Sequence, residues 1–155
     1  MSNHREKFCN RAAQRLDFEP DVETFPDGTE TAGDAADAVG CDIAQIASSI
    51  ALVADELVVV VTSGANRVDT RKLATLRGVH TARMADPDEI AETLGYNVGG
   101  VPPFCHDSTV PVYLDETLTE FETVWAAAGS PDAVFPIDPQ QLIDYADATV
   151  ADLAE

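Results

Sequence analysis

The chain has 155 residues and a mass of 16.5 kDa, with 45% hydrophobic residues, which is the length of one domain and excludes compositional disorder. Its 28 acidic residues against 9 basic ones give a net charge of −19. An apolar run such as Leu57 to Val61 is far too short to span a bilayer, and Met1 to Arg15 lacks the apolar core of a signal peptide. Cys9, Cys41 and Cys105 form no disulfide framework and offer no zinc-ligand spacing. The expectation is a cytoplasmic protein, one domain over residues 1–155, with no membrane contact, no metal and no cofactor.

In chain order, the pattern predicts a first helix over Asn3–Leu16 and a short strand over Val22–Phe25, closed by the Pro26-Asp27-Gly28 turn. Thr31 is the expected N-cap of a helix through Val39, which Gly40 stops. Ile46–Val53 alternates loosely and meets a hairpin turn at Ala54-Asp55-Glu56. The β-branched run Leu57–Thr62 then reads as a central strand. Asp69–Arg77 is helical with Gly78 after it, Val79–Met84 a strand, and Asp86-Pro87 the opening of a helix to Leu94. Beyond the Gly/Pro-rich stretch Gly95–His106, strands are expected at Val110–Leu114, Thr123–Ala128 and Ala133–Ile137. Asp115–Leu118 reads as a turn or short helix, and a last helix begins near Pro139. Short helices between hairpin-like turns imply an α+β fold with a mixed sheet.

The acids are scattered along the chain rather than gathered in a tail, which favours salt adaptation over an acidic partner surface. At molar ionic strength charges are screened within about 3 Å, so dense carboxylates become tolerable. All nine basic residues fall in two windows. In the first, Lys7, Arg11 and Arg15 would line one helix stripe beside Phe8, Ala12 and Leu16, an ordinary solvated face. The second holds Arg67, Arg71, Lys72, Arg77 and Arg83 against the single acid Asp69, and is the better candidate for phosphate contact.

The least ordinary segment is Gly95-Tyr96-Asn97-Val98-Gly99-Gly100-Val101-Pro102-Pro103-Phe104. Paired glycines let a ligand approach the backbone and the prolines stiffen the exit, although a tight structural turn explains the same residues. The nucleotide-binding glycine motifs are absent. This loop resembles the signature of the YbaK/EbsC family of aminoacyl-tRNA editing deacylases, related to the insertion domain of bacterial prolyl-tRNA synthetases. Thr31-Ala32, Ala35-Ala36, Gly40 and Gln45-Ile46 resemble its first block. Lys72-Leu73-Ala74, Met84-Ala85-Asp86-Pro87, Asp115-Glu116, Trp125, Gly129-Ser130-Pro131 and Leu142 follow in the family's order.

The resemblance implies a single-domain, mixed, strongly bent sheet with surrounding helices. It also implies a trans-acting hydrolase that cleaves the ester of misacylated tRNA, such as alanyl- or cysteinyl-tRNA of the proline type. Gly99 and Gly100 would hold the aminoacyl-adenosine end through their backbone. Thr31, Tyr96, Val101, Pro102, Pro103 and His106 would shape the substrate site. Arg67, Arg71, Lys72 and Arg77 would meet the tRNA backbone.

Two residues depart from the family pattern. Gln45-Ile46-Ala47-Ser48-Ser49-Ile50 places Ser48 where the family carries a lysine, exchanging a long cation for a short uncharged donor. Cys105 replaces the glycine after Pro-Pro-Phe, with His106 beside it. Sequence neighbours rarely form a nucleophile–base pair, and His106 reads either as an acid or base beside the site or as a solvated surface histidine. A non-catalytic module that binds aminoacyl-tRNA or docks on an aminoacyl-tRNA synthetase is the alternative to the deacylase. A small-molecule hydrolase using Cys105 is a third reading. The oligomeric state and the amino acid edited are not legible.

Overall fold

The computed structural model describes residues 4–26, 28 and 31–155. Asn3 at the expected start of the first helix, and Asp27 of the expected turn, lie outside the described residues. The chain folds as α1 (His4–Leu16), β1 (Glu23–Thr24), α2 (Ala32–Val39), β2 (Ile46–Ala54), β3 (Glu56–Ser63), α3 (Thr70–Arg77) and β4 (Arg83–Met84). It continues as α4 (Pro87–Leu94), β5 (Val112–Asp115), β6 (Val124–Ala127), β7 (Ala133–Ile137), α5 (Pro139–Ala146) and β8 (Thr149–Ala151). Single 3-10 turns, Ile43–Gln45 and Glu116–Glu120, precede β2 and follow β5.

Local chemistry sets the helix ends. Thr31 accepts a hydrogen bond from Asp34 N–H at the start of α2, Asp69 caps α3, and Asp86 forms a capping box with Glu89 ahead of Pro87. The C-caps Gly40, Gly78 and Gly95 are all left-handed. After α3, Val79 N–H bonds back to Ala74 C=O, as Cys41 N–H does to Ala36 C=O after α2. That donor is lost to any ladder, so the strand expected over Val79–Met84 shrinks to Arg83–Met84.

The strands form one mixed sheet in the order β1-β7-β6-β2-β3-β5-β8, so the expected α+β class holds. β2 and β3 make the central antiparallel hairpin over eight residue pairs, turned at Asp55 with φ 74°. β6 and β5 flank it in parallel. Pro111 keeps out of the strand register, its carbonyl accepting from Val59 N–H, and β5 begins one residue later. The sequence reading did not anticipate β8; three residues among acids carry no strand signal until β5 offers a parallel edge.

The core lies mainly under α1, α4 and α5. Phe8 is fully buried, with ring centres 5.6 Å from Phe104 and 5.2 Å from Phe135. Burial of one such ring contributes roughly 1.5–3 kcal/mol, and here it seats α1 against the glycine-rich loop. On the opposite face, Leu52, Val58, Val60, Leu73 and Leu153 form a second cluster beneath α3.

Asp115 ends β5 buried at 1% exposure and accepts from Ser63 N–H, Asn66 Nδ2 and Thr117 N–H. Burial raises its pKa, but these donors outweigh burial and hold it below the usual aspartate value. It is a structural anion that fixes the β3 and β5 ends.

Candidate functional site

β2 has two different edges. One pairs with β3 throughout. The other pairs with β6 only at Ile46 and Ala47, and with β4 only at Leu52 and Val53. One further bond, Ala85 N–H to Ala51 C=O, closes the β4 side. Beyond Ala85 the chain turns at Asp86-Pro87 into α4, and the place opposite Ser49 has no strand among the described residues.

A cavity of about 620 Å³ opens at this gap. Ser48, Ser49 and their strand neighbours form its floor, Thr31 and Ala35 of α2 one side, and Pro87 and Ile90 of α4 another. Trp125, Ala127 and Val134 come from β6 and β7, and Val98, Gly99 and Val101 from the glycine-rich loop. Met84 and Val98, each 57% exposed, stand at the mouth. Its walls are mostly apolar, and none of the lining side chains among the described residues is ionisable. Ser49 Oγ is buried without a hydrogen-bond partner among the described residues. A buried hydroxyl in that state costs about 1–3 kcal/mol.

Of the residues expected at the site, Thr31, Ser48, Gly99 and Val101 meet on the cavity wall. Gly99 holds φ at 90°, a left-handed conformation that favours glycine. Gly100 serves packing instead. A Cβ there would sit 2.8 Å from Ser130 Cα, and its N–H already donates to Asn97 C=O.

Tyr96, Pro102, Pro103 and His106 are buried in or behind the loop rather than on the cavity wall. Tyr96 donates its hydroxyl to Cys105 C=O, and burial pushes its pKa up to about 12. His106 is neither solvated nor on the surface, at 8% exposure, and its Nε2 lies 2.7 Å from Pro102 C=O. A carbonyl only accepts, so Nε2 carries the proton and donates. Burial lowers the ring's pKa, which keeps this neutral form. Cys105 sits at φ 64°, the conformation a glycine adopts without strain, and burial raises its thiol pKa against the opposing pull of Arg15 and Arg11.

The first basic window is not a solvated face. Lys7 Nζ donates to Gly95 C=O at 2.7 Å, Arg11 to Cys105 C=O at 3.1 Å and Arg15 to His106 C=O at 3.3 Å. Lys7 and Arg11 also share Asp107 Oδ1, at 2.9 and 2.6 Å, and Lys7 lies 4.6 Å over the Tyr96 ring. Burial raises the Asp107 pKa, but the two cations outweigh it and hold the carboxylate low. A stripe at helical spacing thus clamps the loop from behind.

In the second window Lys72 pairs with Asp152 and Ala154 C=O, Arg77 with Glu56 and the Tyr113 hydroxyl, and Arg83 with Glu89. Arg67 and Arg71 are exposed and make no ion pair among the described residues.

Sequence reasoning missed Ser49, Met84 and Val98 as cavity residues. The doublet Ser48-Ser49 inside an otherwise apolar strand was the available signal. Among the described residues no group of three or more His, Cys, Asp or Glu is placed to hold a metal ion, and no helix is long and apolar enough to cross a membrane.

Residues 26–145 match the family model of the aminoacyl-tRNA editing domain. The chain is 33% identical over 129 residues to the uncharacterized protein YwhH of Bacillus subtilis, covering 82% of each chain. A crystal structure of a "putative trans-editing enzyme for prolyl tRNA synthetase" superimposes with a TM-score of 0.93 at 37% identity, over 100% of this chain and 99% of the other. The hypothetical protein APE2540 shares the fold, with a TM-score of 0.86 at 24% identity over 96% of this chain and 99% of the other. By sequence and by fold, this chain belongs to the aminoacyl-tRNA editing domain family.

Proposed function

We propose that the chain is a trans-acting editing hydrolase that cleaves the ester of misacylated tRNA of the proline type, carrying alanine or cysteine. The observation that carries this reading is the cavity at the β2 gap. It sets Ser48, the position of the family lysine, beside Gly99 in a mostly apolar space of about 620 Å³. Small acyl side chains suit such walls.

With no ionisable side chain lining the cavity among the described residues, the reaction relies on positioning and backbone dipoles. The aminoacyl ester is already activated, and the nucleophile is a water or an internal group of the substrate. Ser48 acts as a hydrogen-bond donor to an ester or ribose oxygen, with less reach than a lysine. Gly99 and Val101 form the wall, and Thr31, whose hydroxyl already caps α2, positions that helix against the substrate. Tyr96, Pro102, Pro103, His106 and Gly100 support the loop from within. Arg67 and Arg71, exposed and without an ion pair among the described residues, make the phosphate contacts. Lys72 and Arg77 contribute less, being held by Asp152 and Glu56.

The second reading is a module that binds aminoacyl-tRNA, or docks on a synthetase, without turnover. It is favoured by the uncharged Ser48 together with the absence of any acid or base on the cavity wall among the described residues. Deacylation of alanyl- and cysteinyl-tRNA of the proline type by wild type and Ser48→Lys, in low and in molar potassium chloride, separates the two. Wild-type turnover supports the hydrolase, and turnover only in the lysine variant supports the binding module. Activity retained or raised in molar salt supports salt adaptation of this acidic chain.

A further inference from the structure

In an antiparallel ladder the N–H and C=O of one residue point to the same edge, and successive residues alternate. Gly64 N–H bonds Ile46 C=O, which directs the even-numbered residues of β2 toward β3. The odd-numbered ones therefore face the other edge. There Ala47 pairs with β6, Val53 pairs with β4, and Ala51 C=O accepts from Ala85. The register with β6 stops at Ala47–Ala126, so nothing among the described residues takes the N–H or C=O of Ser49. An open donor and an open acceptor, one residue long, thus lie at the edge of β2 where the cavity opens. An isolated gap of this kind inside a sheet is unusual, because the backbone groups of interior strands are almost always paired.

We infer that the aminoacyl group fills this gap as a single added strand residue, its α-ammonium donating to Ser49 C=O and its ester carbonyl accepting from Ser49 N–H. The inference deepens the editing reading and rests on it. An α-aminoacyl ester carries one donor and one acceptor at the spacing of a peptide residue, which is what a one-residue gap accepts. The place is the one β4 would occupy had Asp86-Pro87 not turned the chain into α4. Continuing the antiparallel sense of β4 directs the ester oxygen and its ribose toward Ser48 and Trp125, on the side where β6 begins. The substrate class is therefore an α-aminoacyl ester with a free amine, recognised through main chain irrespective of which small side chain it bears.

The test uses 3′-(L-alanylamino)-3′-deoxyadenosine, a stable amide in place of the ester, and its propionyl counterpart, which lacks only the amine. Titration measures binding, and amide hydrogen exchange follows the folded protein. The alanyl compound is expected to slow exchange at Ser49 by about tenfold beyond any change at Ser48 and Ile50, whose amides already lie in the β3 ladder. The propionyl compound is expected to bind at least about tenfold more weakly. Alanyl-tRNA turnover is assayed alongside. Turnover combined with equal binding of the two compounds, with no binding of the alanyl one, or with unaltered Ser49 exchange overturns the docking and leaves editing standing. Absence of both binding and turnover overturns docking and editing together.

Discussion

Two segments that line the cavity, the glycine-rich loop and β2, differ in what their main-chain groups are doing. Along the glycine-rich loop the carbonyls of Gly95, Pro102, Cys105 and His106 are all engaged, by Lys7, His106, Arg11 with Tyr96, and Arg15. Along β2 the main-chain groups of Ser49 have no partner among the described residues. A loop rich in glycine and proline is built to be held, and α1 holds it. The free hydrogen-bonding capacity lies where a ladder is interrupted. Conspicuous sequence marks the rigid wall, and an interrupted pairing marks the receptive one.

The largest effect on this contrast should come from removing the loop's support. Phe8→Ala empties a fully buried site against Phe104 and Phe135, and should cost roughly 3–5 kcal/mol in denaturant unfolding. Amides of the loop should then exchange faster, and those of β3 should follow only the global loss. If the loop stays as protected as before, α1 is not what holds it.

Asp107→Ala removes the shared acceptor of Lys7 and Arg11. Because Asp107 is 38% exposed, the expected loss is only about 1 kcal/mol, and less in concentrated salt. A cost independent of salt would argue that packing against Gly95 matters more than charge. Ser49→Ala should act in the other direction. Deleting a buried unpaired hydroxyl should stabilise the free protein by about 1 kcal/mol, measured by the same unfolding experiment. A loss of stability would mean that the hydroxyl has a partner in the folded state.

The smallest effect is a pH dependence. Because the folded pKa of His106 lies below its usual 6.5, its stabilising contribution is complete above that pH and is lost as pH falls below it. Asp107 and Asp115, both lowered from 3.8, add their loss only at still lower pH. The melting temperature should therefore begin to drop below pH 6.5, and His106→Gln should flatten that first step.

Much of the fold was legible because its signals are local. Thr31 and Gly40, Asp69 and Gly78, and Asp86-Pro87 with Gly95 bracket their helices by capping chemistry that needs no tertiary partner. The hairpin at Asp55 followed from pattern alone. The misses depend on remote partners. Val79 was taken by the α3 cap, β8 exists because β5 has a free edge, and Lys7, Arg11 and Arg15 find carbonyls some ninety residues away. The site was half legible. Thr31, Ser48, Gly99 and Val101 reach the cavity, whereas Tyr96, His106 and Gly100 are consumed in holding the loop. For Ser49 the Ser48-Ser49 doublet marked polarity in an apolar strand, but its missing main-chain pairing depends on where β4 and β6 end, which the sequence does not show.

The central claim, that the cavity at the β2 gap is where misacylated tRNA is hydrolysed, is tested most directly by single-turnover deacylation of alanyl-tRNA of the proline type with the cavity mouth closed. Val98→Trp places a large ring on a 57% exposed position at that mouth, and Val150→Trp, at a 42% exposed position on β8, serves as the control. The account predicts wild-type turnover, a loss of at least about tenfold in Val98→Trp with an unchanged melting temperature, and little change in Val150→Trp. Turnover by Val98→Trp at the wild-type rate would contradict it.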